Sequence, residues 1–241
     1  MKLMERIPKI IHYCWFGRGS MSKLALKCID SWKKYLPDYE LRIWNEDNFD
    51  ININDYVKEA YEAKKYAFVT DYVRLYALYN EGGIYMDTDV EVLKPLDEFL
   101  YHEAFSGFQT LNEIPTGLMG AKPKNDWIKE NLLAYENKRF IKDDGSYDMT
   151  ANVELITNIS KNMGFKEGNK FQIFGNGVAI YPVDYFCAKD YRTGKLCITD
   201  NTYAIHHFSG SWLSWSSRFK IQVRRIIGDT IYNQIKDKIK R

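Results

Sequence analysis

Two carboxylates separated by one residue are the most informative feature of this sequence. Asp87 and Asp89 directly follow the apolar segment Ile84–Met86, which has the composition of a short buried strand. Because side chains alternate along an extended chain, both carboxylates would point to the same side and could share one ligand. Their oxygens suit Mn²⁺ or Mg²⁺, although an Asp-Thr-Asp turn that only caps local backbone amides has the same spacing. The spacing therefore indicates a divalent-cation site, with a solvated turn as the alternative.

A second polar pair precedes these carboxylates on a predicted helix. The periodicity of Val69, Tyr72 and Val73 places those three residues on the core-facing side of the helix. Asp71 and Arg74 are three residues apart and lie off that face. They form either a surface ion pair, which contributes about 0.2–0.5 kcal/mol, or a polar pair directed at a sugar or diphosphate through the forked donors of arginine.

The segments that must position these groups alternate between strand and helix patterns, which predicts parallel strands with helices on both faces of a sheet. The predicted strands are Ile7–Phe16, Tyr39–Trp44, Ile84–Met86, Val90–Leu93, Ala104–Phe108, Gly117–Ala121, Phe171–Phe174, Val178–Tyr181 and Tyr203–Phe208. The predicted helices cover residues 21–35, 54–80, 125–138 and 152–163. Ligands of α/β sheets bind beyond the carboxyl ends of the strands, where Asp87 and Asp89 fall. We expect one α/β domain over residues 1–217.

Composition limits the class of protein. The chain is 45% hydrophobic and 27% charged, as in soluble globular proteins. No apolar run approaches the ~20 residues that span a bilayer, and the first residues lack the pattern of a signal peptide. We therefore expect a cytoplasmic protein. The four cysteines lack zinc-site spacing and are expected to be reduced, mostly buried thiols: Cys14, Cys28, Cys187 and Cys197.

The C-terminal segment differs in charge from the rest of the chain. Residues 218–241 hold eight basic and two acidic residues, a net charge of +6, and the other 217 residues carry −4. An acidic body argues against a nucleic-acid enzyme, which needs a basic stripe on its main face. Phe219, Val223 and Ile226 recur at helical spacing, which predicts a basic amphipathic helix. That helix either lies on an anionic membrane surface or docks on the protein's own core.

Three blocks of the sequence resemble glycosyltransferase family 32. Phe68–Leu93 contains the DxD motif, Ile7–Gly17 (IPKIIHYCWFG) is similar to the family's first strand, IPKxIHxxWFG, and His206–Trp212 (HHFSGSW) is similar to its C-terminal motif, HHxxxSW. The resemblance, which extends to the catalytic core of large glucosylating toxins, implies a GT-A (Rossmann-like, nucleotide-sugar-binding) fold. It also implies retaining transfer of a sugar from a nucleotide-sugar to a glycan, with Mn²⁺ or Mg²⁺ as cofactor.

The resemblance implies a role for each polar residue introduced above. Asp89 would hold the metal on the diphosphate, while Asp87 would contact both the metal and the ribose and sugar of the donor. Asp71 and Arg74 would contact donor-sugar hydroxyls, and Arg74 would also stabilise the charge that develops in the reaction. Asp87, Asp89 and Arg74 are thus the expected catalytic residues.

Further site residues follow from the same resemblance. His207 is the expected third metal ligand, although one sequence leaves open whether His206 faces the cleft instead, and both could be ordinary strand-end histidines. Trp15 ends a strand beside a glycine loop and would stack on the base of the nucleotide; its alternative is a core tryptophan.

Three more residues are candidates for donor binding. Trp212 and Trp215 lie in a Ser/Gly-rich loop that would close over the donor, or else they pack under the C-terminal segment. Asn152 begins a predicted helix and could be only its N-cap, while the alternative places its amide beside the anomeric carbon.

The sequence thus predicts a metal-dependent retaining glycosyltransferase. The expected donor is a UDP-sugar, with a GDP-sugar as second choice, and the expected acceptor is a surface glycan such as capsular, lipopolysaccharide or lipid-linked material. No protein nucleophile is nominated. A glycan-binding or scaffold protein without catalysis is the main alternative. A haloacid-dehalogenase-type phosphohydrolase is disfavoured, because Glu91 stands where that pattern needs Thr or Val.

Overall fold

The computed structural model describes residues 6–210. Its strands are β1 (Ile10–Cys14), β2 (Glu40–Trp44), β3 (Gly83–Met86), β4 (Val90–Val92), β5 (Ala104–Gly107), β6 (Leu118–Ala121), β7 (Gln172–Phe174), β8 (Val178–Tyr181) and β9 (Ala204–His206). Its helices are α1 (Lys23–Tyr35), α2 (Asp55–Glu62), α3 (Tyr66–Glu81), α4 (Asp126–Leu133), α5 (Asn152–Asn162) and α6 (Val183–Phe186), with a 3₁₀ helix at Asp97–Tyr101. All nine predicted strands therefore exist, with ends that differ by a few residues.

Seven strands form one mixed sheet in the order β2-β1-β3-β6-β5-β8-β7. β1 is parallel to β2 and to β3, as the alternation of the first half predicted, whereas β6 runs antiparallel to β3 and β5. β4 and β9 form a separate antiparallel pair. The predicted α/β fold class is confirmed.

Apolar side chains cover both faces of this sheet. Along β3, Ile84 and Met86 belong to the cluster that contains the buried face of α1, while Tyr85 belongs to the cluster that contains α2–α5. This alternation follows from the two-residue period of a strand and explains why all four residues of β3 are buried. The strand that leads into Asp87 is therefore held rigidly from both sides.

The long helix predicted over residues 54–80 is wrong in one respect, because the structure divides it into α2 and α3. Ala63 ends α2, and Lys64 follows with a φ of 56° in the left-handed region, which cannot continue a right-handed helix. The predicted end of α3 is confirmed, since Gly82 terminates it with a φ of 67° and donates its N–H to the carbonyl oxygen of Leu78.

The four cysteines form no disulfide, and three of them are buried while Cys197 is exposed, as expected. No helix within residues 6–210 combines the length and hydropathy needed to cross a membrane. Trp212, Trp215, the domain boundary at 217/218 and the predicted helix over 218–241 lie outside the residues that the structure describes.

Candidate active site

The two DxD carboxylates lie in a tight turn between β3 and β4. The backbone N–H of Asp87 donates to the carbonyl oxygen of Gly117 at 2.8 Å, which extends the pairing of β3 with β6 by one residue. The N–H of Val90 donates to the carbonyl oxygen of Asp87 at 2.9 Å and closes the turn. Asp87 and Asp89 therefore lie at the carboxyl end of a central strand, as predicted.

Each carboxylate has one oxygen held by the protein and one that faces a histidine. The hydroxyl of Tyr85 donates to Oδ1 of Asp87 at 2.8 Å, and the N–H of Ser209 donates to Oδ2 of Asp89 at 2.7 Å. The other two oxygens, Oδ2 of Asp87 and Oδ1 of Asp89, lie 3.9 and 3.2 Å from Nε2 of His206. These contacts fix the direction of both carboxylates toward one point.

The histidine at this point is His206, whereas the sequence led us to expect His207. In the antiparallel pair of β4 and β9, His206 lies opposite Val90, beside the DxD turn. Nε2 of His207 is instead 2.8 Å from Oε2 of Glu91, which Nζ of Lys27 also contacts at 2.8 Å. Adjacent side chains of an extended segment point to opposite sides, so only one of the two histidines can reach the carboxylates. The choice of His207 as the third ligand is therefore wrong.

The donor atoms of this cluster suit a divalent cation. Within residues 6–210, Asp87, Asp89 and His206 form a group of three side chains whose ligand atoms all lie within 4.8 Å of one another. A six-coordinate cation with ligands at about 2.1 Å keeps neighbouring ligands about 3 Å apart and opposite ligands about 4 Å apart. The 3.2 and 3.9 Å distances from His206 fall in that range. Two carboxylates and one imidazole fit Mn²⁺ or Mg²⁺.

Asp89 and His206 shift each other's pKa in opposite directions. Burial by itself raises the pKa of Asp89, but the charge and hydrogen bond of His206 and the N–H of Ser209 outweigh it and hold that pKa below its ordinary value. Burial lowers the pKa of His206, and Asp89 more than offsets this, so the His206 pKa lies well above its ordinary value. A ligating imidazole must be neutral, so a cation held by Asp87, Asp89 and His206 would compete with protonation of His206.

Arg74 is buried and its N–H groups donate to protein acceptors, which corrects the interpretation as a surface ion pair. Nε donates to the carbonyl oxygen of Thr70 at 3.2 Å, and Nη1 donates to that of Thr116 at 2.6 Å. Nη2 donates to Oδ1 of Asp71 at 2.9 Å and to Oγ1 of Thr70 at 3.3 Å. Nη1 also lies 3.4 Å from Oδ1 of Asp87, and the side chain is only 5% exposed. Arg74 thus forms no surface ion pair, and it holds the carboxylates of Asp71 and Asp87. Its contact with the donor stays a prediction.

Asp71 and Asn152 extend this buried network. Nδ2 of Asn152 donates to Oδ1 of Asp71 at 3.2 Å, and Oδ1 of Asn152 accepts from the hydroxyl of Tyr135 at 3.4 Å. The N-cap of α5 is Ala151, so the interpretation of Asn152 as an N-cap is wrong. Burial raises the pKa of Asp71 to about 6, despite the opposing charge of Arg74. The structure therefore brings Asn152 into the same network as Arg74 and Asp87.

Trp15 directly follows β1, the parallel neighbour of β3. Its indole Nε1 donates to the carbonyl oxygen of Gly19 at 2.6 Å, and its side chain is half-buried, so it is not a fully enclosed core tryptophan. Within the same loop, Gly17 has a φ of 90°, and a Cβ there would lie 2.3 Å from the Tyr66 ring at the start of α3. The loop is thus packed against α3. The stacking role of Trp15 stays a prediction.

Sequence reasoning missed the residues that hold these ligands in place. Tyr85 could have been found, because the same alternation that pairs Asp87 with Asp89 puts Tyr85 on their side. The contacts of Thr116 and Ser209 had no signal in the sequence, since each depends on a loop brought in from a distant segment.

Comparisons with known proteins agree with this site. Residues 22–106 match the family described as a glycosyltransferase sugar-binding region containing a DXD motif. The chain is 31% identical over 121 residues to inositol phosphoceramide mannosyltransferase 3 of Schizosaccharomyces pombe, covering 47% of this chain and 33% of that protein. It is 26% identical over 148 residues to the uncharacterized glycosyltransferase L373 of Acanthamoeba polyphaga mimivirus, covering 54% of this chain and 57% of that protein.

The solved structure of the PaToxG glycosyltransferase is also similar, with a TM-score of 0.49 and 20% identity over 66% of this chain and 70% of that one. The chain spans less than two thirds of each of the two curated relatives. Asp71, Arg74, Asp87 and Asp89 all lie inside the matched residues 22–106. The resemblance to family 32 is therefore confirmed over residues 22–106, which match a DXD-containing sugar-binding region of glycosyltransferases.

Proposed function

We propose that this protein is a metal-dependent, retaining glycosyltransferase that moves a sugar from a nucleotide-sugar to a glycan acceptor. One observation carries the proposal: Asp87, Asp89 and His206 converge at the carboxyl end of β3. One carboxylate oxygen of each aspartate faces Nε2 of His206. Because a glycan-binding protein can also hold a cation, the property that separates the two functions is metal-dependent binding of a nucleotide-sugar.

A divalent cation held by Asp87, Asp89 and His206 would supply positive charge to the diphosphate leaving group as the glycosidic bond breaks. The protein's part is to keep the three ligand atoms fixed before the donor binds. Tyr85 and Ser209 do so, because each holds the carboxylate oxygen that is turned away from His206.

Arg74 contributes a fixed positive charge without leaving its buried position. Its contacts with Asp71 and Asp87 orient two carboxylates at once, and its charge acts over a short distance in a site of low dielectric. Asp71 and Asn152 share a hydrogen bond, and their carboxylate and amide groups would bind donor-sugar hydroxyls. No side chain is assigned as a covalent nucleophile. Retention follows from the resemblance, with attack by the acceptor hydroxyl on the face that the diphosphate leaves.

The nucleotide base would stack on Trp15, which lies at the same edge of the sheet as Asp87. We propose a UDP-sugar as donor, with a GDP-sugar as second choice. Mannose belongs among the sugars to be tested, because a relative is named as a mannosyltransferase. The acceptor proposed is a capsular, lipopolysaccharide or lipid-linked glycan. A lipid-linked acceptor would lie at the cytoplasmic face of a membrane, where the basic residues of 218–241 could bind anionic lipid.

The test is thermal unfolding with Mn²⁺ and a panel of UDP- and GDP-sugars, for the wild type and the matched variant Asp89→Asn. A ligand at about 100 times its dissociation constant adds roughly 2.7 kcal/mol of stability, which is readily measured. We expect stabilisation that needs Mn²⁺, favours one nucleotide and is lost in Asp89→Asn. Stabilisation by glycans but by no nucleotide-sugar would instead identify a glycan-binding protein.

A further inference from the structure

A glycine faces the histidine of the candidate metal site. Gly117 lies just before β6, and a Cβ built on it would lie 2.7 Å from Cε1 and 2.9 Å from Nδ1 of His206. The same Cβ would lie 3.2 Å from Oδ2 of Asp87, the carboxylate oxygen that faces His206. Real Cβ atoms do not approach other groups to 2.7 Å, so any side chain at this position must displace the ring, the carboxylate or both.

The backbone at Gly117 gives no other reason for a glycine. Its φ lies outside the left-handed region, where other glycines of this chain are found, for example Gly82 and Gly83. Its carbonyl oxygen accepts the N–H of Asp87, an ordinary sheet hydrogen bond that an alanine could also make. What is special about the position is therefore the space beside it and not its backbone conformation.

The His206 ring has little freedom to move away from a new side chain. Phe208 stacks on it, with ring centroids 4.0 Å apart and an angle of 28° between the planes. The strand that carries His206 is paired with β4 in a defined register. A methyl group at residue 117 would therefore be accommodated by a shift of Nε2 relative to the two carboxylates, which changes the ligand geometry directly.

We propose that Gly117 is a positioning residue of the metal site: its missing side chain allows the His206 ring to reach Asp87 and Asp89. This inference rests on the proposed function, because it takes these three residues as metal ligands. It predicts that residue 117 controls cation affinity although it contributes no ligand atom.

The experiment measures Mn²⁺ affinity directly, without donor or acceptor, by calorimetry or by electron paramagnetic resonance of the free ion. Gly117→Ala should weaken Mn²⁺ binding by about 10–100-fold, the range found when residues that orient metal ligands are changed. The matched control is Gly107→Ala on β5. Gly107 also has an ordinary φ, and its Cβ would lie 3.0 Å from the Phe186 ring and not from a ligand. The control should retain wild-type Mn²⁺ affinity.

A double-mutant cycle with His206→Ala separates positioning from general damage. Because the closest contacts of the added Cβ are with the His206 ring, Gly117→Ala should cause a much smaller loss of Mn²⁺ affinity once that ring is removed, and only the 3.2 Å contact with Asp87 remains. If Gly117→Ala alone fails to fold, the double variant should fold, since the contacts below 3.0 Å are absent.

Three results would overturn the inference: wild-type Mn²⁺ affinity in Gly117→Ala, a full additional loss in the His206→Ala background, or a double variant that still fails to fold. Failure of the proposed function is distinct from these results. In that case the wild-type protein itself would bind no Mn²⁺, and the inference would fall with it.

Discussion

Two buried clusters in this protein contain the same kinds of charged group but differ in how completely those groups are paired. In the first, Glu59 of α2 is 9% exposed and accepts from Arg139. Its other oxygen, Oε2, accepts the N–H groups of Phe140 and Ile141 at 2.8 and 2.9 Å. Burial raises the pKa of Glu59, but these hydrogen bonds outweigh it and hold the pKa below its ordinary value. This carboxylate is fully paired.

In the second cluster, Arg74 is in contact with two carboxylates, and a third one lies close by. Its partner Asp71 has a pKa raised to about 6, because burial outweighs the charge of Arg74. Oδ2 of Asp87 and Oδ1 of Asp89 face His206 and have no backbone donor within residues 6–210. Glu59 is thus paired with fixed donors of the protein, whereas Oδ2 of Asp87 and Oδ1 of Asp89 face His206, and in the proposed function a cation would bind these two oxygens.

The largest effect on stability is expected from removing Arg74, the positive charge of the second cluster. Arg74→Met should lower the free energy of unfolding by about 4 kcal/mol, because it leaves Asp71 buried without its partner. Chemical denaturation measures this loss. Adding Asp71→Asn to Arg74→Met should recover part of it, since the unpaired charge is then gone. A single variant as stable as the wild type would contradict the burial of this ion pair.

A slightly smaller loss of stability is expected from a change in the Glu59 cluster. Glu59→Ala should lower the free energy of unfolding by about 3 kcal/mol, because two backbone N–H groups lose a charged acceptor. Mn²⁺ affinity should not change, since no residue of the metal site contacts Glu59 within residues 6–210. Arg139→Ala is the matched control and should cost less, because that side chain is 59% exposed. A loss of Mn²⁺ affinity in Glu59→Ala would show that the clusters are coupled.

The two carboxylates should also differ in the sign of their pH dependence. The pKa of Asp71 is about 6 in the folded protein, against an ordinary value of 3.8. Its contribution to stability is therefore complete below the unfolded pKa and is lost as the pH rises through the folded pKa. Relative to Asp71→Asn, the wild type should lose about 2 kcal/mol between about pH 4 and pH 7. For Glu59, whose pKa is lowered, stability should instead be lost as pH falls, relative to Glu59→Gln. If stability changed with pH in the same direction relative to Asp71→Asn and relative to Glu59→Gln, the contrast between the two carboxylates would be contradicted.

The parts of the site that follow from local pattern could be predicted from the sequence. A buried strand followed by Asp87 and Asp89 depends only on neighbouring residues, and the structure has it. The choice between His206 and His207 depends on the register of β9 against β4, two strands more than a hundred residues apart in sequence. The burial of Arg74 depends on Thr116, which a distant loop contributes. Such contacts leave no periodic signal.

The break between α2 and α3 was missed for a different reason. No glycine or proline marks the end of α2. The left-handed conformation of Lys64 costs a lysine some energy and is stabilised by a local cap, in which Lys64 donates its N–H to the carbonyl oxygen of Tyr61 at 2.9 Å and Lys65 donates to that of Ala60 at 2.8 Å. Such a cap is usually marked by glycine, so a lysine at this position gave no sequence signal.

The central claim is that Asp87, Asp89 and His206 form a metal site, and the adjacent histidines give the most direct test. Mn²⁺ binding in the presence of UDP should be compared for the wild type, His206→Ala and His207→Ala. We expect His206→Ala to weaken Mn²⁺ binding by about 100-fold, because it removes a ligand, and His207→Ala to change it little. Equal affinities in all three proteins, or a loss in His207→Ala alone, would contradict the site described here.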